Sequence, residues 1–294
     1  MNVIGFTPSE ELIRVHEILL DLFKEFKRVC EKYNLKYLAN GGTLLGAARH
    51  HGFIPWDDDM DFSMMYDDYV KLLNIPTEEF KYPYYIQSYK SDVVAEISAA
   101  RIRNSNTTGC TKWEYDNLKV PTHNKGIFID IFPLFPVSGI ESVRETQKKE
   151  LDGLWRAIRG WNALKGRELG YPTPYDQYIP DWEAAREHYT LYQIKQKYMD
   201  ACNELVGDGE LYGMTSFRTH SEKLMWPKEW FDDVIEIPFE DTTISVPKRF
   251  DEILTKTYGD WRTPVHISSV HEMYVLDVNT PFSQNKNLCN CGAL

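Results

Sequence analysis

Trp56-Asp57-Asp58-Asp59-Met60-Asp61-Phe62-Ser63-Met64 alternates polar and apolar side chains from Asp59 onward. Successive side chains of an extended chain point to opposite faces, so Asp59 and Asp61 project from one side while Met60 and Phe62 enter a core. Two carboxylates this close repel each other, and both stay ionised only if a cation lies between them. An all-oxygen set suits Mg2+ or Mn2+ better than a softer metal. Asp57 is a further ligand or a neighbouring partner of the pair.

A second strand reads Gly126-Ile127-Phe128-Ile129-Asp130-Ile131-Phe132, bounded by Pro133 and Pro136. Its other face, Ile127, Ile129 and Ile131, is wholly apolar. A lone Asp buried there costs several kcal/mol unless it is paired or metal-bound, so Asp130 needs a partner. If this strand lies beside the first, Asp59, Asp61 and Asp130 converge on one metal site. The plainer alternative is a buried Asp accepting backbone hydrogen bonds.

Asn40-Gly41-Gly42 predicts a sharp turn, with a short helix over Thr43–Arg49. Glycines let backbone approach a ligand closely, and a helix N-terminus directs free N–H groups at an anion. Gly41, Gly42 and Thr43 are therefore read as a phosphate-proximal turn. Arg49, Arg101, Arg103 and Lys125 are candidate partners for phosphate oxygens. Phosphoryl transfer requires little beyond positioning, charge-neutralising metal and a base. Asp57, Asp59 and Asp61 also fit the first ligand positions of a calcium loop, but Phe62 and Asp68 stand where that loop needs Gly and Glu. A merely solvated acidic turn sits poorly with Trp56, Met60 and Phe62.

Working outward, residues 8–33 read as an amphipathic helix with Thr7 as N-cap, Pro8 at the first position and Glu10 reaching back. Strands are expected at 36–39, 84–88 and 94–103, a helix at 67–74, a hairpin over Val234–Phe239 and Thr242–Val246, and a helix from Pro247 to Gly259. The division expected is a catalytic core over 1–140, a helical, aromatic-rich insertion over 141–225, core completion over 226–276 and an irregular tail over 277–294. Trp155, Trp161, Tyr171, Tyr175, Tyr178 and Trp182 are core packing or, in a minority reading, a cage for a quaternary ammonium. His50-His51 is an exposed loop pair or a substrate contact. His266, His271, Cys289 and Cys291 match no zinc spacing.

The chain has 294 residues, 43% hydrophobic and 26% charged, with a net charge of −11. Nucleic acid is an improbable partner for so acidic a chain. Five scattered cysteines suit a reducing compartment rather than a disulfide framework. No apolar run approaches a membrane span of ~20 residues, and no signal-peptide pattern opens the sequence. The expectation is a cytoplasmic enzyme, at most peripheral to the inner face of the membrane.

Asn40 to Arg49, Gly52 to Asp61, Gly126–Pro133, Ile237–Glu240 and Val246-Pro247 leading to Tyr258-Gly259-Asp260 together resemble the LicD family, which includes the fukutin-related ribitol-phosphate transferases. One departure is Phe135 after Leu134, where that strand motif usually turns acidic. The resemblance implies an α+β nucleotidyltransferase fold like the palm of DNA polymerase beta: a mixed sheet, flanking helices and a helical insertion. It implies phosphocholine transfer from CDP-choline, or another CDP-alcohol such as CDP-ribitol, to a glycan acceptor of teichoic acid or lipopolysaccharide, including lipid-linked forms. Asp59 and Asp61 match the family's metal pair, and Asp130 the third carboxylate. A non-catalytic metal- or glycan-binding protein of the same fold is the rival of a different class.

Overall fold

The computed structural model describes residues 6–92, 94–95, 97–117, 123–170, 173–204, 209–214, 222–266 and 273–289. Tyr171, His271 and Cys291 lie outside these residues, as does the side chain of Cys289. In chain order the elements are α1 (Glu10–Tyr33), β1 (Leu38–Ala39), α2 (Gly41–His50), β2 (Asp61–Met65), α3 (Tyr66–Leu72), β3 (Tyr84–Gln87), β4 (Ala100–Asn104), β5 (Thr108–Thr111), α4 (Lys112–Asn117) and β6 (Ile127–Val137). Then follow α5 (Glu141–Glu168), α6 (Ile179–Ala185), α7 (Leu191–Asn203), β7 (Leu211–Met214), β8 (Met225–Pro227), β9 (Val234–Phe239), β10 (Thr242–Pro247), α8 (Phe250–Tyr258), β11 (Met273–Asp277) and α9 (Lys286–Cys289).

The centre is a mixed seven-stranded sheet in the order β1-β2-β6-β4-β3, with β7 paired to β6 and β8 to β7. Only β2 and β6 run parallel; the other pairs are antiparallel. A mixed sheet with flanking helices is the expected class. Its two faces differ because residues alternate. Phe62, Ile102, Ile127, Ile129 and Ile131 are buried on one face, and α1 covers it. Val15, Leu19, Leu22, Phe23, Phe26 and Val29 recur on the buried side of α1, the spacing of an amphipathic helix. Phe23 stacks on Phe62 at 5.1 Å, and Phe26 lies 5.2 Å from the same ring.

The opposite face carries a polar row set by register. Asp61 on β2 pairs with Asp130 on β6, Asp130 with Arg101 on β4, and Arg101 with Gln87 on β3. Directly paired positions share a face. The two acidic strands therefore lie side by side, the arrangement on which convergence of the carboxylates is conditional.

Several boundaries differ from expectation, each for a physical reason. Ser9, not Thr7, caps α1: its Oγ accepts from the Leu12 N–H at 3.1 Å, leaving Pro8 outside the helix. Asn34 closes α1 in the left-handed conformation, φ 51°, which Asn tolerates. β6 is not ended by its prolines. The Asp130 N–H donates toward β2, to the Met60 carbonyl at 3.0 Å, so by alternation the Pro133 nitrogen faces the other edge. There the β4 ladder has stopped at Ile131 and β7 begins at Leu134. The Pro136 nitrogen faces the β2 edge, past the last pair at Leu134. Neither missing N–H breaks a ladder. After α7 the described residues supply the strands β7 and β8, against the helical insertion expected through 225. Pro247 closes β10, and α8 starts only at Phe250. β5 pairs with β11 in a second sheet, and α9 lies in the expected irregular tail. The hairpin β9–β10 turns at Glu240-Asp241, as read. Among the described residues, no helix is long and apolar enough to cross a membrane.

Phe62 is fully buried, so Phe62→Ala should lower the unfolding free energy by about 3–5 kcal/mol. Urea denaturation followed by circular dichroism reads this directly, and an unshifted midpoint would contradict the packing described.

Candidate active site

The helix α2 begins at the glycines themselves rather than after them, with Asn40 as N-cap and Gly41 at φ 53°. A methyl group on Gly41 would lie 3.2 Å from Asp61 Oδ2, and one on Gly42 would lie 2.6 Å from Asp57 Oδ2. The glycine turn and the acidic stretch are thus one surface, with carboxylates closed over the helix N-terminus. That terminus carries partial positive charge and unpaired N–H groups. Thr43 joins the two parts: its Oγ1 accepts from the Asp61 N–H at 2.8 Å. The Asn40 N–H donates to the Asp61 carbonyl at 3.0 Å.

The loop carrying Asp57 is held from outside. His16 Nε2 lies 2.7 Å from the Asp57 carbonyl oxygen, and the His16 ring stacks on Phe53 at 4.2 Å. The tip of the β9–β10 hairpin closes on the same loop. Glu240 accepts from the Phe53 N–H at 3.0 Å and its own N–H donates to the His51 carbonyl at 2.9 Å. His16 and Glu240 were not singled out from sequence. Glu240 stands in the Ile237–Glu240 motif, but no local signal says that its partner is Phe53.

The electrostatics of the acidic group are unbalanced. Burial first, then the Asp59 and Asp58 carboxylates, pushes the Asp57 carboxyl well above its usual range. Burial, then Asp59, Asp130 and Asp57, does the same to Asp61 against the opposing charge of Arg101. Tyr258, from the last turn of α8, points its hydroxyl at the same group; burial, then Asp61, Asp57 and Asp59, pushes its pKa up to about 12. Carboxylates that raise one another in this way form a donor set suited to a hard cation. As they stand, no three His, Cys, Asp or Glu side chains among the described residues are gathered closely enough to enclose a metal ion. Asp130 is drawn the other way, accepting from Arg101 Nε at 2.7 Å.

Behind Arg101 lies a buried charge network. Arg101 Nη1 donates to Glu114 Oε1 at 2.7 Å. Arg103 donates to the same carboxylate, to Gln87 Oε1 at 2.6 Å and to the Gly126 carbonyl at 2.8 Å. Both guanidiniums sit over the Phe128 ring, at 4.0 and 4.5 Å. Glu114 Oε2 accepts from the Thr111 N–H at 3.1 Å, and His123 bridges toward Asp92 at 2.8 Å. Burial alone would raise Glu114, but Arg103 and Arg101 outweigh it and hold the carboxyl well below its usual value.

The four cations read as phosphate partners are thus placed differently. Arg101 lies in the acidic row, with its side chain 20% exposed. Arg103 is fully buried in the network just described. Arg49 donates to the Trp261 carbonyl at 2.8 Å and to His50 Nε2 at 2.9 Å. Lys125 is buried at the entry to β6, its carbonyl accepting from Gly109 N–H at 2.7 Å. His50 is pulled down to about 4 by burial and then Arg49, and His51 caps α2 in the left-handed region, φ 56°. Of the insertion aromatics, Trp155 and Tyr175 do surround a cation, with Trp113 of α4, but it is the chain's own Arg159, 5.1–5.5 Å from each ring centroid.

Glu114→Ala would leave the charge of Arg103 buried beside Arg101 with its principal counter-ion gone. Loss of one partner from such a buried network should cost about 3–5 kcal/mol of stability, measured by denaturant unfolding; a loss within experimental error would contradict the network's role.

Comparison with known proteins finds a family similarity over part of the chain. The family description "LicD/FKTN/FKRP, nucleotidyltransferase domain" matches residues 34–153. The chain is 27% identical over 277 residues to the lipopolysaccharide cholinephosphotransferase LicD of Haemophilus influenzae, covering 88% of this chain and 96% of that protein. An uncharacterized protein of Rickettsia prowazekii is 37% identical over 91 residues, 29% of this chain and 34% of that protein. One of Rickettsia typhi is 38% identical over 76 residues, 26% of this chain and 25% of that protein. Residues 34–153 contain both glycines of the turn, Asp57, Asp59, Asp61, Arg101, Glu114 and Asp130. The LicD resemblance read from the motifs is borne out over that stretch, and similarity to one LicD protein runs through most of the chain around it.

Proposed function

We propose that this protein transfers phosphocholine from CDP-choline to a sugar hydroxyl of a cell-surface glycan, releasing CMP. The observation that carries the reading is the acidic row: Asp61 and Asp130 in register on neighbouring strands, with Asp57 and Asp59 beside them over the start of α2. The relative from Haemophilus influenzae is named as a lipopolysaccharide cholinephosphotransferase and aligns over 96% of its length, which supports an enzyme acting on a lipopolysaccharide-type acceptor. A teichoic acid precursor is the other acceptor of the same chemistry. The mixed sheet with acidic groups on adjacent strands supports a palm of the polymerase-beta kind. A lipid-linked acceptor would be met at the inner face of the membrane, with the enzyme in the cytoplasm.

The geometry supports the following roles. Asp59 and Asp61, with Asp57 alongside, would hold a Mg2+ or Mn2+ ion, which neutralises charge on the donor phosphates. The N–H groups of Gly41 and Gly42, at the start of α2, would donate to phosphate oxygens of the donor. Arg101 supplies the cation nearest the reacting phosphoryl group and holds Asp130 by an ion pair. Asp130 takes the proton of the acceptor hydroxyl as its oxygen bonds to the phosphorus bearing choline and the bond to CMP breaks. Register fixes Asp61 opposite Asp130, while Asp57 and Asp59 come from the loop that leads into β2.

The test is release of CMP from CDP-choline by the purified protein with a glycan acceptor and Mg2+, with and without chelator. Asp59→Asn and Asp61→Asn should each lower turnover at least about 100-fold with the melting temperature little changed. CDP-ribitol run in parallel separates the donors, since the acidic row handles phosphate and not the alcohol. Near-normal turnover by either Asn variant, or no release with any CDP-alcohol, would overturn the reading.

A further inference from the structure

The side chain of Tyr258 is placed in an unusual way. Tyrosines at a surface generally bury the ring and leave the hydroxyl in water. Tyr258 is 45% exposed, yet its hydroxyl is turned in toward Gly41, next to Asp61. A methyl group on Gly41 would lie 3.2 Å from Asp61 Oδ2 and 3.9 Å from Tyr258 Oη. The bare α-carbon of Gly41 is thus bracketed by a carboxylate and a phenol. Among the described residues, no hydrogen bond is made by that hydroxyl.

The hydroxyl is nonetheless held in place. Tyr258 is the last residue of α8, one turn beyond buried Leu254, and Gly259 ends the helix at φ 74°. The chain then doubles back, with the Trp261 N–H donating to the Gly259 carbonyl at 2.9 Å. Arg49, at the far end of α2, donates to the Trp261 carbonyl at 2.8 Å. Trp261 Nε1 donates to Asp251 Oδ1 at 3.0 Å. These contacts pin the end of α8 along α2 without using the phenol.

A phosphate brought among three carboxylates needs hydrogen-bond donors. The start of α2 supplies backbone N–H groups from one side and Arg101 lies across the row. A phenol keeps its proton at neutral pH and donates. We propose that Tyr258 is a further catalytic residue of this site, its hydroxyl donating to a phosphoryl oxygen of the substrate seated against Gly41; this rests on the phosphotransferase reading above. It gives the motif Tyr258-Gly259-Asp260 a chemical reason: the phenol acts and Gly259 stops the helix where the phenol must be.

Tyr258→Phe keeps the ring and removes only the hydroxyl. Turnover of CDP-choline at saturating donor should fall roughly 10- to 100-fold, the effect of losing one donor to a charged oxygen. The melting temperature should match the parent protein, and the stabilisation produced by CMP should shrink. Tyr258→Ala should lose no more than Tyr258→Phe. Normal turnover in Tyr258→Phe overturns the proposal, as does a loss confined to Tyr258→Ala, which would assign the ring and not the hydroxyl. Asp61→Asn serves as the reference. If it is inactive while Tyr258→Phe is normal, only the tyrosine's role falls. If Asp61→Asn is itself active, the reading of the site falls and the proposal with it.

Discussion

The parallel pairing of β2 with β6 is the constraint on which the rest of the molecule depends. It sets Asp61 opposite Asp130, and register in a sheet is an all-or-none choice. A slip by one residue would move every side chain to the other face. What prevents the slip is the apolar side of the same strands. Phe62, Ile129 and Ile131 are fully buried, and Phe23 and Phe26 of α1 pack on Phe62. The core therefore fixes the chemistry: residues that never touch a substrate decide which carboxylates become neighbours.

Charge is balanced on one side of the acidic row and not on the other. Toward β4, Asp130 meets Arg101, and the charge passes through Glu114, Arg103, His123 and Asp92 with partners at each step. Toward α2, burial and the Asp59 charge push the carboxyls of Asp57 and Asp61 up. The N-terminus of α2 offsets part of that repulsion, typically by no more than about 2 kcal/mol. Carboxylates perturbed by burial and by one another cluster at functional sites. The imbalance is the physical basis for proposing a divalent cation there and not beside Arg101.

Much of this was legible in the sequence because the signals are local. The period-two alternation of Asp59 to Met64, the apolar face of α1 and the Glu240-Asp241 turn each depend on a few adjacent residues. Where expectation and structure part, the deciding partner is remote. Pro133 and Pro136 read as strand terminators, yet β6 runs through both because the neighbouring ladders happen to be vacant where their nitrogens point. β7 is hidden in the sequence because Leu211–Met214 becomes a strand by pairing with the distant Leu134–Val137 and with Met225–Pro227. Arg103 and Arg101 looked alike as cations two positions apart on one face; burial beside Glu114 separates them. The placement of Tyr258 is not legible in its motif, since nothing near it in the chain says that α8 ends over Gly41.

Direct titration of Mn2+ into the protein, followed by electron paramagnetic resonance of the free ion, tests the central claim without requiring the donor or acceptor to be known. The account predicts one saturable site per chain in the parent protein that is lost, or weakened by an order of magnitude or more, in Asp61→Asn at unchanged melting temperature. Equal affinity in the two proteins, or no saturable binding in either, would contradict it.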